Sequence, residues 1–169
     1  MVGMMSSLKG ATTHLLDMMT PCVGPALVFY LEGSTQKILV DTGVGGPEGV
    51  IQALSGIGLT PKDIDTVILT HLHFDHVGGA IFRQGEKLLP AFKNATYWSN
   101  EKHWDWAINP NDREKASFLK ENILPIQENG QLKFIDAHDN VKFTDDIAIR
   151  FVYGHTESMM LPLINYKGR

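Results

Sequence analysis

Cysteine is almost missing from this sequence: Cys22 is the single one in 169 residues. One thiol cannot close an internal disulfide, and it excludes zinc ribbons and knuckles built on cysteine. Long apolar runs are missing too. The longest in the middle of the chain, Pro25 to Leu31, is far too short to span a bilayer. There is no block of Lys and Arg: 15 basic against 19 acidic residues give a net charge of −4, which argues against nucleic acid or an anionic membrane as partner. The first residues, MVGMMSSLKG, lack a basic segment followed by a continuous apolar stretch. No signal peptide is therefore expected, and the chain reads as cytoplasmic. Nor is there an internal repeat, a low-complexity tract or a Pro/Gly/Ser-rich linker.

What is present fits one globular domain, with 43% hydrophobic and 20% charged residues. Residues 1–24 read as an irregular N-terminal segment. Ala26 to Glu32 and Lys37 to Val40, around Gly33-Ser34, predict a hairpin that ends at Asp41-Thr42-Gly43. Val50, Ile51, Leu54 and Ile57 are spaced for one face of a helix, and Val67-Ile68-Leu69 reads as a short buried strand. That order predicts an α/β sandwich layer. Residues 99–124 read as a helical insert: one helix from Ser99 through Ala107, a break at Asn109-Pro110-Asn111, and a second helix from Asp112 to about Leu124. Trp98, Trp104, Trp106 and Phe118 are assigned to this insert, either packed on the sheet or lining a pocket. Leu132 to Ile135, Val141 to Phe143, Ile147 to Val152 and Met159 to Asn165 read as strands, the last despite Pro162.

The chemistry concentrates in Thr70-His71-Leu72-His73-Phe74-Asp75-His76-Val77-Gly78-Gly79. In an extended stretch His71 and His73 point to the same side, because side chains alternate. A turn at Phe74 would swing Asp75 and His76 to a neighbouring position able to hold a second ion. Neutral imidazole and carboxylate are the ligands that zinc, iron(II) and manganese accept. Packing their polar groups together without a metal would be costly. Gly78-Gly79 lets the backbone pass close by before a following helix. Other metal motifs fail, since there is neither an HExxH nor a CxxC. His14, His103 and His138 stand alone, and surface or packing roles are expected of them.

His71-x-His73-x-Asp75-His76 resembles the signature of the metallo-β-lactamase superfamily of metal-dependent hydrolases. Ile38-Leu39-Val40-Asp41-Thr42-Gly43 resembles the strand and DTG turn that precede it, Ile64 to Thr70 the strand leading into it, and Gly154-His155-Thr156-Glu157 the family's GHT segment. The resemblance runs from about Ala26 to Leu163 and looks most like the quorum-quenching lactonase branch. It implies an αβ/βα sandwich, of which the chain would hold the N-terminal half and part of the second.

By this resemblance His71, His73 and His155 would bind a first metal, leaving an open position for water, and Asp75 and His76 would contribute to a second. Two zinc ions are expected in a complete member, with iron or manganese as alternatives. A metal-bound hydroxide would attack an ester, lactone, thioester or amide carbonyl of a small-molecule substrate. Asp75 would be the catalytic residue, orienting the nucleophile and returning a proton to the leaving group. Asp41 and Thr156 would fix ligand orientation. Complete members supply a bridging aspartate and a further histidine downstream of GHT, whereas Thr156 to Arg169 contains neither. The expectation is therefore a fragment of a longer hydrolase, inactive or metal-binding by itself unless a second copy in a homo-oligomer completes the site or one metal suffices. Phosphodiester or sulfate ester cleavage on the same scaffold is the alternative chemistry.

Overall fold

The computed structural model describes residues 12–20, 23–32, 36–44 and 48–165. In chain order they form β1 (Thr12–Thr20), β2 (Val23–Glu32), β3 (Lys37–Val40), α1 (Glu48–Gly56), β4 (Thr66–Ile68) and α2 (Phe74–Val77). Then come β5 (Ile81–Gln84), β6 (Lys87–Pro90), β7 (Thr96–Ser99), α3 (Glu101–Ile108), α4 (Lys120–Glu128), β8 (Leu132–Phe134), β9 (Val141–Lys142), β10 (Ile147–Val152) and β11 (Met159–Ile164).

Six strands make one mixed sheet in the order β1-β2-β3-β4-β7-β8. The first three pair antiparallel, whereas β4 lies parallel to β3, β7 to β4 and β8 to β7. A second, antiparallel sheet has the order β11-β10-β9, and β5-β6 is a separate hairpin.

Alternation along the central strands creates two cores. Leu39 and Val67 face a helix layer, packing with Val50 and Leu54 of α1, Trp104 and Ala107 of α3, and Ile123 and Ile126 of α4. Ile38, Val40 and Ile68 face the second sheet, where Phe143, Ile147, Ile149, Phe151 and Met160 meet them. Leu39, Ile68 and Ile149 are completely buried, each contributing about 1.5–3 kcal/mol relative to exposure. Helices, mixed sheet and antiparallel sheet are thus three successive layers of the expected sandwich.

The strand pairs β2/β3 and β10/β11 and helix α1 lie where the sequence places them. The turn at Gly33-Ser34 is outside the described residues. Three expectations need correction. Within 1–24, residues 12–20 are a strand paired along β2, so that stretch is not irregular. After Gly78-Gly79 the chain enters the β5/β6 hairpin, not a helix. The 99–124 insert also differs: Ser99 ends β7, α3 starts at Glu101, residues 112–117 are turns and the second helix begins only at Lys120. Trp98 consequently sits on β7, its ring edge-on to Phe143 at 5.3 Å between the two sheets. The turns 112–117 are held from outside the segment, because the backbone N–H of Phe74 donates to the Ser117 carbonyl at 2.9 Å. A tertiary contact of this kind overrides local helix propensity.

Candidate metal centre

Parallel strands β3, β4 and β7 finish side by side, so the segments leaving them gather at one edge of the sheet, where open α/β sheets place their sites. Asp41 succeeds β3, Thr70 and His71 come just after β4, and Asn100 and His103 come just after β7. The ends are stitched by backbone bonds from Asp41 to Ile68 and from Leu69 to Trp98. His155 arrives from the other sheet, at the end of β10, and Met160 N–H donates to the Thr70 carbonyl at 2.8 Å to tie the sheets together.

One ligand atom each from His71, His73 and His155 lies within 4.8 Å of the others. His71 and His73 are buried, while His155 is exposed and leaves that side accessible. The Nε2 atoms of His71 and His73 are buried with no hydrogen-bond partner among the described residues. Unpaired polar atoms in such a position are costly unless something ligates them. Burial, followed by the neighbouring histidines, lowers the pKa of His71 to about 2. His73 is lowered for the same first reason, with His155 next and Asp75 and Glu114 opposing. Both imidazoles are therefore neutral, the form that donates a lone pair to a cation.

Asp41 organises the loop beneath them. Its carboxylate accepts the Thr70 backbone N–H at 2.8 Å and the Thr70 hydroxyl at 2.7 Å, and it lies 2.8 Å from His76 Nδ1. The Thr70 hydroxyl is also 3.0 Å from His71 Nδ1, so one carboxylate orients both rings. Asp41 does this at φ 62, a left-handed conformation that aspartate tolerates better than most residues. Asp75 and His76 lie on α2, outside the close group of three. Asp75 Oδ2 is 3.7 Å from His76 Nε2, and the His76 ring centroid is 4.0 Å from that of His71. Burial disfavours charge on His76, but the hydrogen bond and charge of Asp41, with Asp75, outweigh it and raise the pKa.

Next to this loop, Thr42 donates its N–H and its hydroxyl to the His76 carbonyl. Gly79 is pressed so closely on the DTG turn that a Cβ there would lie 2.2 Å from the Thr42 carbonyl oxygen. Thr156, expected to steady a ligand, is buried with its hydroxyl unpaired among the described residues, so it bonds to no ligand here.

Three further neighbours pack on the site, and of these the sequence marks only Phe118, as sheet packing or pocket lining. His103, for which the sequence suggests packing or surface, is completely buried and hydrogen-bonded to backbone on both sides. Phe118 covers His73 with ring centroids 4.6 Å apart. Glu114 is buried, accepts from the indole N–H of Trp106, and bears electrostatically on His73. All three depend on partners far away in the chain, and no short pattern encodes that.

Comparison with known proteins agrees with this geometry. The family model described as the metallo-beta-lactamase superfamily matches residues 23–146. A probable metallo-hydrolase of Methanocaldococcus jannaschii is 39% identical over 94 residues, covering 55% of this chain and 41% of that protein. An exodeoxyribonuclease, WalJ, of Streptococcus pneumoniae is 28% identical over 123 residues, covering 73% of this chain and 43% of its own length. The chain thus spans less than half of these relatives. Among solved structures, a probable metal-dependent hydrolase from Staphylococcus aureus superposes with a TM-score of 0.74 at 21% identity, covering 91% of this chain and 68% of that one. AidC, a dizinc quorum-quenching lactonase in complex with a product, superposes with a TM-score of 0.71 at 21% identity, over 86% and 54% of the two chains. With a histidine cluster at the strand ends and a family model matching most of its length, this chain belongs to the metallo-beta-lactamase superfamily.

Proposed function

We propose that the chain carries the metal centre of a hydrolase that opens carbonyl ester bonds of a small, cytoplasmic substrate, lactones foremost. The observation that carries this reading is the convergence of three imidazoles within 4.8 Å, two of them with buried Nε2 atoms unpaired among the described residues. His71, His73 and His155 hold one ion, and Asp75 and His76 contribute to a second. Zinc suits this nitrogen and carboxylate set, with iron or manganese the alternatives. When bound, such an ion would supply carbonyl activation and a hydroxide nucleophile near neutral pH. Asp75 is half-exposed in the first turn of α2, where its carboxylate orients the attacking water and returns the proton to the leaving oxygen. Asp41 keeps His71 and His76 turned toward the ions. A lactone as substrate class is supported by the superposition on AidC, itself described as a lactonase.

A second reading, phosphodiester cleavage, is favoured by the likeness to the pneumococcal exodeoxyribonuclease. The net charge of −4 weighs against it.

The test is elemental analysis of the purified chain beside His71→Ala, followed by hydrolysis assays with an N-acyl homoserine lactone and with bis(p-nitrophenyl) phosphate, each with and without chelator. Metal lost in His71→Ala is expected, with chelator-sensitive lactone hydrolysis where a second copy completes the site or one ion suffices. Equal metal in both proteins overturns the metal centre, and hydrolysis of the phosphodiester alone selects the second reading. A homo-oligomer that completes the site would appear as activity rising with protein concentration.

A further inference from the structure

The junction of β7 and α3 reaches both loops that bring histidines to the centre. Nε2 of His103 accepts the backbone N–H of Leu72, the residue between His71 and His73, at 2.8 Å. Nδ1 on the other side of the ring meets the carbonyl of Glu157, two residues beyond His155. Asn100, one helical turn earlier, repeats the bridge: its side-chain oxygen accepts the His103 N–H at 3.0 Å and its amide donates to the Ser158 carbonyl at 2.8 Å. Both residues are completely buried.

Only a neutral imidazole can do this. Accepting from Leu72 N–H places the proton on Nδ1, which then donates to Glu157. A charged ring would set a second N–H against that of Leu72. Burial favours the neutral form, lowering the pKa to about 4 although the Glu157 carbonyl opposes the shift. Burial alone requires both nitrogens to be matched, but any nearby groups would serve; here both bonds go to the two loops that carry His71, His73 and His155. The ring lies 6.4 Å from His71 between centroids, close enough to steer the loops and outside the group of three.

We propose that His103, supported by Asn100, is a positioning residue that sets the separation between the His71–His73 pair and His155. It thereby fixes the affinity and geometry of the ion they hold. The inference rests on the metal centre proposed above.

The test is a cobalt(II) titration of the chelator-stripped full chain, read by visible absorption, for wild type, His103→Leu, His103→Gln and Trp104→Phe. Trp104 is buried on the same helix but belongs to the core, so its variant reports stability alone. His103→Leu is expected to weaken cobalt binding by about 10–100-fold and to change the shape of the absorption band. His103→Gln keeps an acceptor for Leu72 and falls between, whereas Trp104→Phe lowers the melting temperature of the metal-free protein with affinity and band unchanged. Wild-type affinity and band in His103→Leu overturn the inference, as does an equal loss in Trp104→Phe. If the leucine variant does not fold, His103→Gln decides: a band or affinity indistinguishable from wild type overturns it. No cobalt binding by the wild type removes the metal centre itself, and the positioning role with it.

Discussion

Asp41 Oδ2 lies 2.8 Å from His76 Nδ1 across 35 residues of sequence, and the same carboxylate takes both donors of Thr70. An amide cannot replace it, because its nitrogen would turn a donor toward other donors. Asp41→Asn is therefore expected to weaken metal binding by about 10–100-fold while the protein stays folded. Competition against a chelator of known affinity measures it, and an unchanged affinity would show that Asp41 only shapes the turn.

Gly79 leaves no room for a side chain. A methyl group 2.2 Å from the Thr42 carbonyl forces the DTG turn and α2 apart. Gly79→Ala should cost about 3 kcal/mol by overpacking. For a domain of this size that lowers Tm by about 6–12 °C. Thermal unfolding of the metal-free protein is the check, and a shift of under about 2 °C would contradict this close packing.

Removing metal should expose a pH dependence. In the fold His71 is held to about 2 and His103 to about 4, both first by burial, against 6.5 for the ordinary group. The unfolded chain therefore takes up more protons as pH falls below about 6.5, and stability falls with it, approaching about 1.4 kcal/mol per pH unit for each of the two. His76 runs the other way: its raised pKa contributes stability below 6.5 that is lost as pH rises through the higher folded value. Urea unfolding in chelator at pH 5, 6 and 7 measures the balance, with the lowest stability expected at pH 5.

Asp75→Asn tests the proposed catalytic carboxylate apart from the three-histidine site. The ion held by His71, His73 and His155 should remain, while turnover falls by about 10²–10⁴-fold with little change in KM. Metal analysis and steady-state kinetics on the same preparation decide it. Loss of all metal would make Asp75 a ligand of the three-histidine site.

Much of this site can be read in the sequence because its parts are local. His71 and His73 come after a short apolar strand with the spacing of one face, and Asp41 ends another strand of the same kind. The strands from Ile147 onward are equally plain, since each is an apolar run between turn residues. The β5/β6 hairpin is not plain: the apolar pairs Ile81-Phe82 and Leu88-Leu89 are short, and Gly78-Gly79 before them suits a helix start as well as a turn. The delayed start of α4 reflects the Phe74–Ser117 backbone bond and the packing of Phe118 on His73, which local propensity does not contain. His103 is least legible of all, because its partners are backbone groups 31 and 54 positions away.

His71 and His73 ride on the mixed sheet and His155 on the antiparallel one, with Val40, Ile68, Phe143, Ile149, Phe151 and Met160 between the sheets. The spacing of the three imidazoles therefore depends on that filling as well as on the His103 bridge. Exchanging a branched side chain for a slimmer one there is expected to shift that spacing only as far as the core can relax, without replacing any of the three histidines. A search for altered reactivity therefore belongs as much in these six positions as at the rim of the site.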